Sequence, residues 1–307
     1  MTKQTTPSIL LTGATGTIGY ALAQQLSAQG LPFRALVRCL ENSQGLRALP
    51  GATVVAGDLN DTNSIARALD GIEKAFLLTN SSEQAETLQN NFVEAAAQAG
   101  LQQIVKLSQL AADPHSPVRF LRYHAAVEEK IKQSGIPYTF LRPNLFMQGL
   151  LGFREPIAQM GKFFAAIGDA AISLVDIRDI AAVAAKALTE AGHENKIYTL
   201  TGPEALTHQQ LAERLSEALG RTITFIDVTP ADMRQALDRA GFPAWQAEGL
   251  IEDYAHYARG EASGISTAIP GITGRPARNF RQFAQDYAAV FQRPSQPGSP
   301  SSAVARE

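Results

Sequence analysis

The run Ser8-Ile9-Leu10-Leu11-Thr12 passes directly into Gly13-Ala14-Thr15-Gly16-Thr17-Ile18-Gly19, which places three glycines at three-residue intervals. A glycine at a strand exit permits a tight turn, and a second removes the side chain that would block a pyrophosphate. A third lets the following helix pack closely on the sheet, and free amides at the helix start hold phosphate oxygens. Thr12, Gly13, Thr15, Gly16, Thr17, Ile18 and Gly19 are therefore the expected pyrophosphate-binding residues. A glycine repeat alone is weak evidence; its position between an apolar run and a helix gives it weight.

The rest of the chain repeats that rhythm. Apolar runs at 33–37, 52–56, 74–79, 103–107 and 138–141 alternate with helical stretches, among them 17–29 and 82–99. Continuous rather than alternating apolar strands are expected when helices cover both faces of a parallel sheet. Gly30, Gly100 and Gly135 each close a helical stretch just before a strand, where a left-handed cap is needed. The expected fold is α/β, a Rossmann-type doubly wound parallel sheet. Residues 143–170, with four glycines and two prolines among aromatic and Met residues, read as an irregular segment over a site. A strand at 172–175, a helix at 179–188, a strand at 196–200, a helix at 207–219, a strand-like run at 222–227 and helices at 230–240 and 243–259 follow. The expected organisation is a dinucleotide-binding core at 8–150 to which 171–200 returns. Residues 151–170 and 201–293 then form a small, interwoven C-terminal α/β lobe on the substrate side. The Pro- and Ser-rich residues 294–307 are an expected disordered tail.

Composition removes several classes of function. Lys and Arg number 27 against 29 Asp and Glu, a formal charge of −2, which lacks the basic excess of a nucleic-acid-binding protein. The single cysteine, Cys39, allows neither an intramolecular disulfide nor a thiolate zinc cluster, and His115, His193, His208 and His256 show no metal-ligand spacing. No metal is expected. No signal peptide is expected and no apolar stretch is long enough to span a membrane, so the expected compartment is the cytoplasm.

At the end of the second run, an acid would hydrogen-bond the ribose 2′-hydroxyl of NAD, whereas an arginine accepts the 2′-phosphate of NADP. The chain offers Leu36-Val37-Arg38 and no acid before Glu41. Arg38 favours NADP(H), NADPH over NADH, against the alternative of a plain surface arginine. Asp58 and Leu59 close the third run, where the carboxylate could accept from the adenine amino group and the leucine pack on the ring; the alternative for Asp58 is a helix cap. Thr79 and Asn80 end the fourth run beside the expected nicotinamide ribose, chiefly through backbone contacts. Ser108 ends the fifth and could orient that ribose or a substrate.

The T-G-x-x-G-x-x-G form of the loop resembles the extended or atypical short-chain dehydrogenases/reductases over roughly residues 8–200. Most of that superfamily carries Tyr-x-x-x-Lys, yet Tyr123, Tyr138 and Tyr198 are followed four positions later by Val127, Arg142 and Gly202. An alcohol-dehydrogenase reading falls with the motif. What the chain has is Arg122-Tyr123-His124-Ala125-Ala126-Val127-Glu128-Glu129-Lys130, Leu141-Arg142-Pro143-Asn144, Val175-Asp176-Ile177-Arg178-Asp179-Ile180-Ala181 and Leu200-Thr201-Gly202-Pro203. In this order the stretches resemble the NmrA-like family of atypical short-chain dehydrogenases, from about Ser8 to Phe291. That family mixes non-catalytic nucleotide sensors with NAD(P)H-dependent reductases of quinones, azo dyes or triphenylmethane dyes, and with isoflavone and lignan reductases.

In the isoflavone and lignan type a catalytic lysine stands eleven residues before the helix-ending glycine. His124 holds that position here, which the resemblance associates with the quinone and dye reductase branch. Because an imidazole can titrate near neutral pH, His124 could donate a proton or hydrogen bond to a quinone oxygen or azo nitrogen. Pro143 and Asn144 would border the nicotinamide, and Phe146, Met147, Phe153, Met160, Phe163 and Phe164 would roof an apolar acceptor, although the same composition suits a core or dimer contact. Asp176 and Asp179 read as turn and helix-cap residues. The expected protein is an NADPH-dependent reductase that passes hydride without flavin to a small aromatic acceptor, a quinone-like or azo compound. An NADP(H)-sensing regulator without turnover is the alternative, and a homodimer is left open.

Overall fold

The computed structural model describes residues 7–292. The expected tail at 294–307 lies outside the described residues. Seven parallel strands form one sheet: β1 (Ile9–Leu11), β2 (Phe33–Val37), β3 (Ala52–Ala56), β4 (Lys74–Leu77), β5 (Gln103–Leu107), β6 (Tyr138–Pro143) and β9 (Lys196–Leu200), in spatial order β3-β2-β1-β4-β5-β6-β9. The chain builds outward from β1 to β3, then crosses back to place β4 on the other side of β1. That reversal opens a crevice beyond the carboxyl ends of β1 and β4, where ligands bind in folds of this type.

Side-chain alternation along the strands assigns the two faces. Ile9, Leu11, Phe76, Val105, Leu107 and Leu141 pack with α1 (Thr17–Ala28), α7 (Ile177–Thr189) and Ile269 of α11 (Ala268–Thr273). Leu10, Ala75, Leu77, Ile104 and Phe140 pack on the opposite side with α3 (Thr62–Leu69), α4 (Ala85–Gln98) and α5 (Arg119–Gln133). A short helix, α2 (Gln44–Arg47), follows β2 and adds Leu46 to the first of these cores. Both faces are covered, which is why the strands read as unbroken apolar runs. Gly30, Gly100 and Gly135 have φ of 70°, 71° and 76°, as helix stops require.

The smaller lobe has its own core. It contains α6 (Arg154–Met160), β7 (Lys162–Ala165), β8 (Ala171–Ile172), β10 (Leu206–Thr207), α8 (His208–Leu219), β11 (Thr224–Asp227), α9 (Pro230–Arg239), α10 (Ala244–Ala258), α12 (Phe280–Asp286) and α13 (Ala288–Gln292). β7 pairs with β11 in parallel and β8 with β10 antiparallel. The segment expected to be irregular is ordered: a 3₁₀ stretch at Met147–Phe153 leads into α6 and β7. Its Met147, Leu150, Ile157 and Phe163 are buried against α8 and α12, and so much apolar surface stabilises regular structure rather than a loose flap. The strand expected at 172–175 shortens to Ala171–Ile172, with Val175 making an isolated bridge to Phe146. Three helices beyond Arg259 had no counterpart in the sequence reading. One of them, α12, opens with a reciprocal capping box between Asn279 and Gln282. Asp176 caps α7 as expected, whereas Asp179 binds the Arg278 backbone amide at 2.7 Å and so anchors the segment before α12.

Candidate functional site

The glycine turn lies at the β1 and β4 ends. Gly13 has φ 62° and a Cβ there would fall 2.8 Å from Leu78 Cγ, so only glycine fits the turn. A Cβ on Gly19 would lie 2.2 Å from the Gly13 carbonyl oxygen, which shows how closely α1 rests on the loop. Gly16 caps α1 with no side-chain hydrogen bond, and no acidic residue stands in the first turn. The helix therefore presents amides and the positive end of its dipole to the crevice. Thr15 and Thr17 are exposed at this rim while Ile18 is buried beneath it. These features fit a pyrophosphate. Thr12 serves differently from the expectation: it is 2% exposed, and its hydroxyl bonds both the carbonyl and the amide of Leu78 at 2.8 Å, which locks β1 to the β4 end.

The other residues expected to meet a cofactor lie just past the carboxyl ends of their strands. Arg38 is exposed one residue past β2 and joins no ion pair among the described residues, so its guanidinium is available for a phosphate. Asp58 is exposed past β3 and accepts from the Asn60 amide at 2.9 Å. The cap of α3 is Asp61, which accepts from Asn63, so the cap alternative for Asp58 does not hold. Leu59 is half-buried, and its carbonyl accepts from Asn91 at 3.0 Å. β4 ends at Leu77, two residues earlier than expected, which places Thr79 and Asn80 in the loop beyond it. The Thr79 hydroxyl accepts from Gln89 at 2.8 Å, while Asn80 is exposed.

At the reaction end the structure exposes a group that the sequence reading overlooked. Lys106 lies inside β5 with no exposed surface, on the α5 side of the sheet. Its Nζ is 3.0 Å from the Leu107 carbonyl oxygen and 2.9 Å from Nδ1 of His124. Where Nζ is an ammonium it can only donate, so Nδ1 then accepts and the imidazole proton resides on Nε2. Burial pushes the His124 pKa well below its ordinary value, and the charges of Lys106 and Arg142 push it further in the same direction. The expectation that His124 itself titrates near neutral pH is corrected accordingly: it is a neutral imidazole with one N–H to offer. Its Nε2 has no partner among the described residues and is not one of the enclosed unpartnered atoms. The Tyr123 ring packs 4.1 Å from the imidazole and its hydroxyl meets Ser81 at 3.0 Å.

Ser108 is 3% exposed and donates to Glu128 at 2.5 Å. Glu128 also receives Arg142 through Nε at 3.0 Å and Nη2 at 2.6 Å. The serine thus ties β5 to α5, and its proton is not free for a substrate. Pro143 ends β6 with its carbonyl accepting from the Leu110 amide at 2.9 Å. Asn144 is 3% exposed and fully used: it donates to the Ser173 hydroxyl and the Ala262 carbonyl, both at 2.8 Å, and accepts from the Leu145 amide. Its side chain joins the lobe to the sheet.

The expected apolar roof divides. Met147 and Phe163 are core and Met160 is exposed, and Phe163 with Phe146, Phe153 and Phe164 lines a small cavity beside Leu174, His208 and Tyr254. Burial pushes the His208 pKa down to about 4, and its Nδ1 has no partner. A second buried polar cluster joins the lobe to the residue after Ser108. Gln109 donates to both oxygens of Asp253 at 2.9 Å, and the Tyr257 hydroxyl donates to the same carboxylate at 3.0 Å. Among the described residues no group of His, Cys, Asp and Glu could hold a metal ion, and no helix is long and apolar enough to cross a membrane.

The fold recurs in known proteins. The NAD(P)H azoreductase of Xenophilus azovorans is 37% identical over 283 residues, covering 92% of this chain and 99% of the relative. An NADPH-dependent quinone oxidoreductase from Escherichia coli, solved with NADPH, superposes with TM-score 0.82 at 32% identity, covering 91% of this chain and 99% of that one. The Citrobacter sp. triphenylmethane reductase complexed with NADP(H) superposes with TM-score 0.81 at 29% identity, covering 92% and 100%. Residues 5–272 match the NmrA-like family along most of the chain, and with a relative of this identity spanning nearly its whole length, the chain belongs to that family.

Proposed function

We propose that this chain is an NADPH-dependent reductase that passes hydride directly, without flavin, to a quinone-like or azo acceptor. The observation that carries the reading is the shared sheet edge, where a glycine cradle and the unpaired Arg38 lie at the ends of β1 and β2 and the buried His124 stands on α5. Relatives that use NAD(P)H on azo compounds and quinones support it. The loop from Gly13 to Gly19 holds the pyrophosphate and Arg38 the 2′-phosphate, while Asp58 and Leu59 border the adenine. Thr79, Asn80, Pro143 and Asn144 frame the nicotinamide side through backbone groups, because the Asn144 side chain is already committed. Bound NADPH supplies the hydride. His124 offers its Nε2–H to the acceptor atom that gains negative charge, at a site where burial strengthens such a bond. Ser108 contributes by tying the end of β5 to α5 through Glu128.

The same reading places the protein in the cytoplasm with a small aromatic electron acceptor as its partner and no nucleic acid; sedimentation would show whether it is a homodimer. The test is loss of nicotinamide absorbance when NADPH is offered with a panel of quinones, azo dyes and triphenylmethane dyes. Oxidation that depends on the acceptor is the expected result. Tight NADPH binding with no consumption across the panel would replace the enzyme by an NADP(H) sensor.

A further inference from the structure

We propose that Lys106 is a positioning residue that acts through His124, fixing the imidazole as its Nε2–H tautomer and replacing at Nδ1 the proton that the acceptor takes from Nε2. The proposal rests on the reductase reading and extends it to a residue inside the sheet.

A lysine in the middle of a doubly covered strand is costly, because the interior solvates an ammonium poorly. Leucine or methionine would serve packing at that position. Lys106 nevertheless has no carboxylate within ion-pair distance among the described residues. Its amino group contacts the Leu107 carbonyl and the imidazole nitrogen facing away from the acceptor side. The charged groups that face it are Glu128 from α5 and Arg142 from β6, with His124 above. Glu128 and Arg142 also line a cavity of about 510 Å³ with the exposed Glu129 and Lys132. Lys106 itself has no exposed surface and does not line that cavity, so its amino group meets solvent only through His124. Burial, with Glu128 opposing it and Arg142 reinforcing it, lowers the lysine to about 7, whereas His124 is held far below that. Near neutral pH the lysine is thus the member of the pair that holds an exchangeable proton.

The step balances. The acceptor gains one hydride from the reduced nicotinamide and one proton from Nε2 of His124. As the Nε2–H bond breaks, an N–H bond forms at Nδ1 with a proton from Nζ, which leaves Lys106 a neutral amine. Nε2, which is not enclosed, then takes a proton from water while Nδ1 passes its proton back to Nζ, so the ammonium and the Nε2–H tautomer are restored together. A quinone becomes a hydroquinone, or an azo group a hydrazo group, with one NADPH oxidised and one proton consumed. A cationic triphenylmethane dye differs, since hydride alone neutralises its central carbon and no proton is required.

That difference supplies the test. Wild-type protein and Lys106→Met are assayed with NADPH and a quinone, and in parallel with NADPH and a cationic triphenylmethane dye, from about pH 6 to about pH 8. In the wild type the ratio of quinone to dye kcat should fall as pH rises through the lysine's range, because the ammonium is lost on the alkaline side. In Lys106→Met the ratio should be about tenfold or more lower at the acid end and flat with pH, with the KM for NADPH within about twofold. Equal losses on both acceptors, or an unchanged ratio, would overturn the proposal while leaving the reductase reading intact. Failure of the wild type to oxidise NADPH with any acceptor would instead defeat the reductase reading. Nitrogen NMR of His124 in cofactor-free wild type supplies a readout without turnover: Nε2 protonated with Nδ1 accepting is expected, and the opposite tautomer would overturn the proposal.

Discussion

Replacing Gly19 with alanine tests the reading of the glycine turn at its tightest point. The added Cβ would lie 2.2 Å from the Gly13 carbonyl oxygen and 2.8 Å from the Ala14 Cα. An ordinary C···O approach is about 3.3 Å or more, so α1 and the loop must separate by roughly 1 Å. The obstructing atoms are backbone and cannot rotate away. Alanine gains about 1 kcal/mol of helix propensity over glycine, but overpacking against backbone costs about 2–3 kcal/mol. The net loss of about 1–2 kcal/mol corresponds to a Tm decrease of roughly 2–6 °C for a chain of this size. Cofactor binding should suffer more, because the displaced amides at the start of α1 no longer meet the pyrophosphate. One hydrogen bond to a charged oxygen is worth about 1.5–3 kcal/mol, which predicts an NADPH Kd weaker by about 10–150-fold. The assay is calorimetric titration with NADPH beside a thermal melt without it. Gly30→Ala is the control: Gly30 has φ 70° and nothing within 4 Å of an added Cβ. It should cost about 1–2 kcal/mol of stability through backbone strain, with the NADPH Kd unchanged to within about twofold. An NADPH Kd for Gly19→Ala within about threefold of wild type would refute the close-approach argument.

Arg38→Ala should weaken NADPH binding by about 10–100-fold and NADH binding by less than about twofold, since only NADPH carries the 2′-phosphate; equal effects on the two would remove Arg38 from phosphate recognition. Asp253 yields a pH prediction. Burial raises its carboxyl to about 7 from an unfolded value near 3.8, so between those limits the folded chain holds a proton that the unfolded chain has released. Its contribution to stability is therefore fullest below about pH 4 and declines until about pH 7, by up to about 4 kcal/mol. Asp253→Asn, which cannot ionise, should gain in Tm over wild type across that interval and hold the gain at higher pH; a difference that does not change with pH would disprove the assignment.

The sequence by itself determined the frame, and for a physical reason. Strand and helix periodicities, glycine stops and the glycine turn are local features, set by backbone sterics and by whether one face or two must be buried. Thus β2, β3, β5 and β9 begin and end where the apolar runs do, and the glycine turn and Arg38 follow β1 and β2 as their order in the sequence implies. Residues 143–170 are ordered despite their glycines and prolines, because Met147, Ile157 and Phe163 are buried in the lobe core.

What only the tertiary structure decided is which groups face each other. Lys106 read as one polar residue in an apolar run, and nothing local reveals that strand alternation turns it toward α5 and onto His124, 18 residues away. Gln109 and Asp253 meet across 144 residues. The Asn144 side chain is committed to Ser173 and Ala262, far along the chain. Hydrogen-bond partners and pKa values depend on burial and on charges brought together from distant segments, and these exist only once the sheet and its lobe have closed. The glycine turn could be read from seven consecutive residues; the proton chemistry of the site could not.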